Sequence, residues 1–461
     1  MIFIIYFLNI IIMCDSNKIY NPITKRYVLK SGKIGKKLLE DSKNENKEVK
    51  NEKIRKEINE NNNEEIKILN DINEKFTTYL KISNLIKINF KENISGIIPD
   101  ENNNDSLNTN KYYLGNNIIL YKKIGSSSRF GEIYKTKIID KNNNEFYIAT
   151  KLQLCISGVT DREIQILNEF KKYALNYKIH NLPLVYKIIN FNKDEENMEL
   201  LPSVLRNKKK KYNILLNELA EGDLKYFIYN VLNIENSYEL WKNTIEQIYM
   251  TLVIIHSLHV LHNDSHYGNF LYYRIKPGGY FHYKINDIDI YIENLGYYWT
   301  IWDFGVSSNV RRHIDYLNDY NFLCLFLRKD DKSRITEKFK NKYSINVYDK
   351  DDKGKKIKNK DYRKWGSLDN NINIPIEIEK LVEKLWIISG EDIEFSNEYY
   401  NKKIDEYKYY KKLLEQNLLF KTEINKEDKI LSTIDIKIDE FKDECVIDKS
   451  KMIIKIKIVG K

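Results

Sequence analysis

Apolar and polar residues alternate in three short runs, 117–125 (NIILYKKIG), 131–139 (GEIYKTKII) and 145–154 (EFYIATKLQL). Period two predicts three strands, the last two joined by a KNNN turn. The period then lengthens. DREIQILNEF, 161–170, predicts a short helix, and LPLVYKIINF and YNILLNEL return to strand-like patterning. Trp241, Ile245, Ile248, Leu252 and Ile255 recur at spacings of four and three, one face of a buried helix that runs directly into HVLHNDSHYGNFL. From there to about Gly390 the pattern is mainly helical. Residues 391–461 add a Tyr/Lys-rich helix and a strand-like tail.

The pattern fails over 41–110, where Lys, Glu and Asn dominate and runs such as NENNNEE and DENNND occur. This stretch reads as a polar linker, partly helical and partly disordered. Before it, residues 1–40 form a more compact segment centred on NPITKRYVLKSGKIGKKLLE. Its SGKIGKK piece is not a Walker A loop, because the glycine spacing is wrong and no Ser or Thr follows the lysine.

Composition changes the picture in a few places. With 461 residues, 42% of them hydrophobic, the chain can bury at least one large core. Tyr (35), Asn, Lys and Ile are abundant against 17 Gly and 6 Pro; the enriched types share A/T-rich codons, which blunts arguments from composition. The net charge of +10 comes from 76 basic and 66 acidic residues scattered through the chain, a pattern of solvated faces, so a nucleic-acid partner is not expected. The compact basic run, Arg206 with Lys208 to Lys211, reads as an exposed loop. Cys14, Cys155, Cys324 and Cys445 stand far apart without a CxxC pair, which argues against a zinc site or disulfide framework and for a reducing, cytoplasmic compartment. The apolar residues 1–12 are too short to span a bilayer comfortably. Met13 is an alternative start, so a membrane association is not expected unless residues 1–12 are translated.

Phosphoryl transfer needs a cover for the phosphates, a cation on the non-transferred phosphates, metal ligands, and a carboxylate to orient the acceptor hydroxyl. Gly125-Ser126-Ser127-Ser128-Arg129-Phe130-Gly131 lies between two predicted strands, and small residues let main-chain N–H groups approach phosphate oxygens. Alone it reads equally as a hairpin turn. Lys151, in Ile148-Ala149-Thr150-Lys151, stands on the next strand, with Glu163 twelve residues on in the short helix; alone this is a surface ion pair. His262-Asn263-Asp264-Ser265-His266-Tyr267-Gly268-Asn269 places an Asp and an Asn five residues apart. Asp264 can accept or orient a proton, and Asn269 can offer an amide oxygen to a metal. Trp302-Asp303-Phe304-Gly305 supplies a carboxylate able to bridge metal and phosphates.

In this order the segments resemble the protein kinase superfamily over about residues 112–330. HNDSHYGN, PGGYFHYKIND, YIENLGYYWTIWDFG and NPITKRYVLKSGKIGKKLL further resemble serine/threonine kinases of nucleocytoplasmic large DNA viruses. The resemblance implies an α+β, bilobal fold with a β-rich N-lobe over 111–217, a mainly helical C-lobe over 218–390, and ATP with Mg²⁺ (or Mn²⁺) between them. It gives Lys151 and Glu163 the ion pair, Asp264 the catalytic carboxylate, and Asn269 and Asp303 the metal. Gly125, Ser126, Ser127, Phe130 and Gly131 would cover the phosphates, with Glu218 and Leu219 at the hinge that meets adenine. The acceptor would be a protein Ser/Thr hydroxyl, and the location host cytoplasm or virion.

Four features depart from the family pattern. Asn263 replaces the usual Arg. His266 replaces the usual Lys, as in haspin-type and aminoglycoside-phosphotransferase-type members, and joins the catalytic candidates. Asn269 and Asp303 stand unusually far apart, with a hairpin turned by Pro277-Gly278-Gly279 expected to fill the gap beside the cleft. No APE-like segment follows Gly305, and Asp319 reads as a buried anchor of the catalytic loop. A small-molecule phosphotransferase or a nucleotide-binding scaffold are the competing readings. His256 and His259 read as packing or surface residues.

Overall fold

Tandem alternating runs rich in Ile, Tyr and Thr set the main sheet, and two helices cover it. The structure, a computed structural model, describes residues 18–21, 26–29, 68–89, 98–99, 112–114, 117–124, 131–155, 159–191, 211–309, 316–327, 348–350, 356–358, 372–389 and 406–436. The chain divides into two units, Met1–Glu65 and Ile66–Lys461. In the first, strands β1 (Lys18–Asn21) and β2 (Arg26–Leu29) pair antiparallel, Lys18 opposite Leu29.

The second unit is mixed α+β. Strands β3 (Ile98–Pro99), β4 (Tyr112–Tyr113), β5 (Ile118–Ile124), β6 (Gly131–Ile139), β7 (Glu145–Leu154), β8 (Val185–Phe191) and β9 (Tyr212–Glu218) form a seven-stranded antiparallel sheet in the order β3-β4-β5-β6-β7-β9-β8. β9 lies between β7 and β8 and is buried at every position, which explains its near-continuous apolar reading. Helix α1 (Ile72–Asn89) falls inside the stretch expected to be a polar linker. Its stripe of Ile72, Phe76, Tyr79, Ile82 and Ile86 is buried in the core, hidden in the sequence among Lys and Asn. Helix α2 (Thr160–Tyr177) extends the predicted 161–170 by two turns and buries Ile166, Leu167, Phe170 and Ala174.

Helix α3 (Tyr238–Ser257) centres the larger hydrophobic cluster. Ser237 caps it by accepting the Leu240 N–H, and every residue from Asn243 to His256 is buried. The expectation of mainly helical structure beyond α3 fails over 270–301. There β12 (Phe270–Arg274), β13 (Tyr280–Ile285), β14 (Ile288–Glu293) and β15 (Tyr297–Ile301) follow one another. The reason is period-two burial: Phe281, Tyr283 and Ile285 point inward while Tyr280, His282 and Lys284 do not. β12 pairs with β15 and with β10 (Gly222–Asp223), and β11 (Val260–Leu261) pairs with β16 (Ser308–Asn309).

The hairpin expected to turn at Pro277-Gly278-Gly279 turns instead at Asn286-Asp287, between β13 and β14, because β12 pairs with β15 and residues 277–279 only lead into β13; it packs on the loop after α2 and on α3. Tyr283 Oη meets His180 and Asn181, and Asn243 Nδ2 donates to the Glu293 carbonyl at 2.7 Å. Residues 430–436 are built into this layer, since β19 (Ile430–Ile436) pairs parallel with β13 and buries Ile434 and Ile436. Helices α4 (Leu317–Leu327), α5 (Ile376–Ser389) and α6 (Glu406–Glu415) complete the cluster, and β17 (Tyr348–Lys350) pairs with β18 (Lys356–Lys358). No described helix is long and apolar enough to cross a membrane, and residues 1–12 lie outside the described residues.

Candidate active site

The alternation of β7 points Lys151 toward α2, whose first turn carries Glu163. Lys151 Nζ lies 2.8 Å from Glu163 Oε1 and 3.1 Å from Asp303 Oδ1. Burial works against the ammonium, but the two carboxylates outweigh it and hold Lys151 above the ordinary lysine value. Lys151 in turn is the main cause that keeps the Asp303 carboxyl below the usual range, with burial opposing. The Asp303 side chain is 55% exposed, so one face remains open to a ligand.

The other half of the site is a loop held from below. Asp319, buried on α4, accepts the main-chain N–H of His262 at 2.7 Å and of Asn263 at 2.8 Å, and His256 Nε2 stands 3.0 Å away. Ser265 Oγ donates to the Asp319 carbonyl at 2.6 Å. Burial alone would raise the Asp319 carboxyl; the bond from His256, its charge and that of His262 hold it below the usual range. The anchor expected at Asp319 is therefore present, and His256 is a buried partner of it. Asn263, at φ +63°, takes the left-handed turn that asparagine tolerates better than most residues.

On this loop Asp264 is pushed up to about 7, by burial first and the Asp303 charge second, with the Asn269 hydrogen bond opposing. Asn269 Nδ2 donates to the Asp264 carbonyl at 2.8 Å, which leaves its amide oxygen for another partner. His266 Nδ1 accepts the Gly268 N–H at 2.9 Å, so a neutral ring carries its proton on Nε2, 3.6 Å from Asp264 Oδ2. Burial, then His262 and Lys225, push His266 down to about 4, so it is neutral at physiological pH. A Cβ on Gly268 would stand 2.8 Å from the His266 ring, so any larger residue there would displace that ring.

The chain segments that carry Asn269 and Asp303, far apart in sequence, come together because β12 and β15 pair from Phe270 opposite Ile301 to Arg274 opposite Tyr297, so the intervening residues leave the site and return. The Trp302 N–H donates to the Asn269 carbonyl at 2.9 Å, and His262 Nε2 stands 2.8 Å from the Trp302 carbonyl oxygen. A carboxylate oxygen and an amide oxygen so held are hard donors of the kind Mg²⁺ or Mn²⁺ takes, and the residues fit such an ion. The segment after Asp303 is tied down as well. Phe304 is buried between Phe170 and His262, Arg162 donates to the Ser307 carbonyl at 3.0 Å, and Asn263 Nδ2 donates to the Val306 carbonyl and to Ser308 Oγ.

Gly125, Ser126, Ser127 and Phe130 lie outside the described residues. Gly131, where β6 begins, is required: a Cβ there would come 2.6 Å from the Leu152 carbonyl oxygen. Glu218 ends β9 and Leu219 follows it, but the Glu218 side chain is turned into the core. It accepts the Leu184 N–H and pairs with Lys75 of α1 at 3.4 Å; Lys75 also donates to the carbonyls of His180 and Leu182. Sequence reasoning overlooked Lys75, Gln153 and Arg162. Gln153 was readable, standing two positions from Lys151 on an alternating strand; Lys75 and Arg162 carry no local signal. No model of a known protein family matches the chain, and no curated protein matches it.

Proposed function

We propose that this chain is an ATP-dependent phosphotransferase of the protein-kinase type, bilobal in architecture, with a protein serine or threonine hydroxyl as acceptor. The resemblance to serine/threonine kinases of large nucleocytoplasmic DNA viruses belongs to the same proposal. The observation that carries it is the contact of Lys151 with both Glu163 and Asp303, opposite a loop that presents Asp264 and Asn269. A cation, two oxygen donors and a carboxylate near neutral pKa are the parts that phosphoryl transfer requires.

In this reading Lys151 holds oxygens of the non-transferred phosphates, and Glu163 keeps it extended toward them. Asp264 takes the proton of the acceptor hydroxyl as its oxygen bonds to the γ-phosphorus and the bond to the bridging oxygen breaks, releasing ADP. His266 donates Nε2–H to an oxygen beside Asp264 without adding charge. Asn269 and Asp303 would hold Mg²⁺ or Mn²⁺, which supplies neutralisation of phosphate charge.

One observation favours a second acceptor class. β16 ends at Asn309 and α4 begins at Leu317, leaving little chain for a peptide-docking platform, as in small-molecule phosphotransferases. Incubation with labelled ATP, magnesium or manganese, a panel of generic proteins and a panel of aminoglycosides separates the readings. Label on Ser/Thr of protein supports the first, and label on a sugar hydroxyl the second. Nucleotide binding with no transfer to either panel points to a scaffold.

A further inference from the structure

Glu163 is buried at 3% exposure, and a buried carboxylate must have both oxygens satisfied. One oxygen, Oε1, faces Lys151. The other, Oε2, accepts from Gln153 Nε2 at 2.8 Å. Gln153 is itself 3% exposed and sits two residues beyond Lys151 on β7, so both side chains leave the same face of the strand and reach the same carboxylate. Gln153 lies also beneath the end of the glycine loop: a Cβ added to Gly131 would stand 3.3 Å from Gln153 Cβ. One side chain thus touches the strand position that closes the loop and the helix residue that steadies the lysine.

We propose that Gln153 is a positioning residue: it fixes the Glu163 carboxylate so that Oε1 is presented to Lys151, and so sets where the ammonium stands. A carboxylate with Oε2 released rotates toward any other donor, and Lys151 then keeps Asp303 as its remaining anion. The consequence for catalysis rests on the phosphotransferase reading; the consequence for Lys151 does not.

The test uses the full chain and Gln153→Met, which keeps side-chain length and removes the donor. Lys151 is followed by the rate of reductive methylation, read by peptide mass spectrometry against exposed lysines such as Lys172. The wild type is expected to methylate slowly at Lys151. The variant should react about tenfold faster there, the worth of one hydrogen bond to a charged group, at an unchanged rate elsewhere. With turnover, kcat/KM for ATP should fall by a similar factor while KM for the acceptor stays constant. Should the methionine variant not fold, Gln153→Asn keeps an amide but draws it back by one methylene from Glu163 Oε2, and it should raise Lys151 methylation in the same way while Glu163 stays in place. A merely structural glutamine would lower the melting temperature and leave Lys151 reactivity as in the wild type, and that result overturns the proposal. Faster Lys151 methylation in a protein that never turns over ATP upholds the positioning role and sinks the phosphotransferase reading instead.

Discussion

Replacing Asp319 by Asn tests how the loop that carries Asp264 is held. One carboxylate oxygen accepts the His262 N–H and faces His256 Nε2, and the other accepts the Asn263 N–H. Asparagine keeps one acceptor oxygen, and its NH₂ must face at least one main-chain donor that cannot turn away. A hydrogen bond to a charged group contributes about 1.5–3 kcal/mol, and an orphaned buried donor costs about 1–3 kcal/mol. Counting one lost bond and its orphaned donor as a single event, the variant should lose about 3 kcal/mol, the lower end of what breaking a buried ionic pair costs. Turnover should suffer separately. Asn263 sits at φ +63° only because neighbours hold it, and a loop shift of about 1 Å can lower rate by roughly 10²-fold.

Urea unfolding followed by tryptophan fluorescence measures the stability, and its pH dependence checks the cause. The folded Asp319 pKa lies below that of the unfolded chain, about 3.9. Its ionised form therefore stabilises the fold above that value, and the contribution is lost as pH falls through the folded value. Asparagine does not titrate, so the gap between wild type and variant should narrow below about pH 4. A gap under about 0.5 kcal/mol at neutral pH, the size of an ordinary surface change, refutes the anchoring role, as does a gap that widens in acid.

Asp264→Asn keeps the shape of the side chain and removes the proton acceptor, so turnover should drop by roughly 10²–10⁴-fold with nucleotide affinity little changed; wild-type turnover would exclude the assigned role. Asp303→Ala removes the half-exposed carboxylate beside Lys151 and should abolish the magnesium dependence of ATP binding while the fold survives. Calorimetric titration with and without magnesium decides it, and equal affinity for Mg·ATP in both proteins rules the assignment out. Lys75→Met leaves Glu218 buried without its cation and should cost about 3 kcal/mol, most of it recovered when Glu218→Gln is added. Additive losses in that double variant would show that the two groups do not form a coupled pair.

The sequence by itself determined the sheet strands around Lys151, the α3 helix, and the identity of Lys151, Glu163, Asp264, Asn269, Asp303 and Asp319, because these depend on local period and short spacing. Alternation alone points Lys151 off one face of β7, and an i+5 loop alone keeps Asp264 beside Asn269. What required the tertiary structure depends on contacts between residues distant in the chain. Lys75 meets Glu218 only because an apolar stripe, thinly spread among Lys and Asn, packs α1 against the sheet. Asn269 comes beside Trp302, the neighbour of Asp303, only because β12 pairs with β15 and sends the residues between them into a separate buried hairpin. β13 and β19 lie side by side although about a third of the chain separates them, and no periodicity in one encodes the presence of the other. Local sequence fixes which face a side chain leaves from; only long-range packing decides what it meets there.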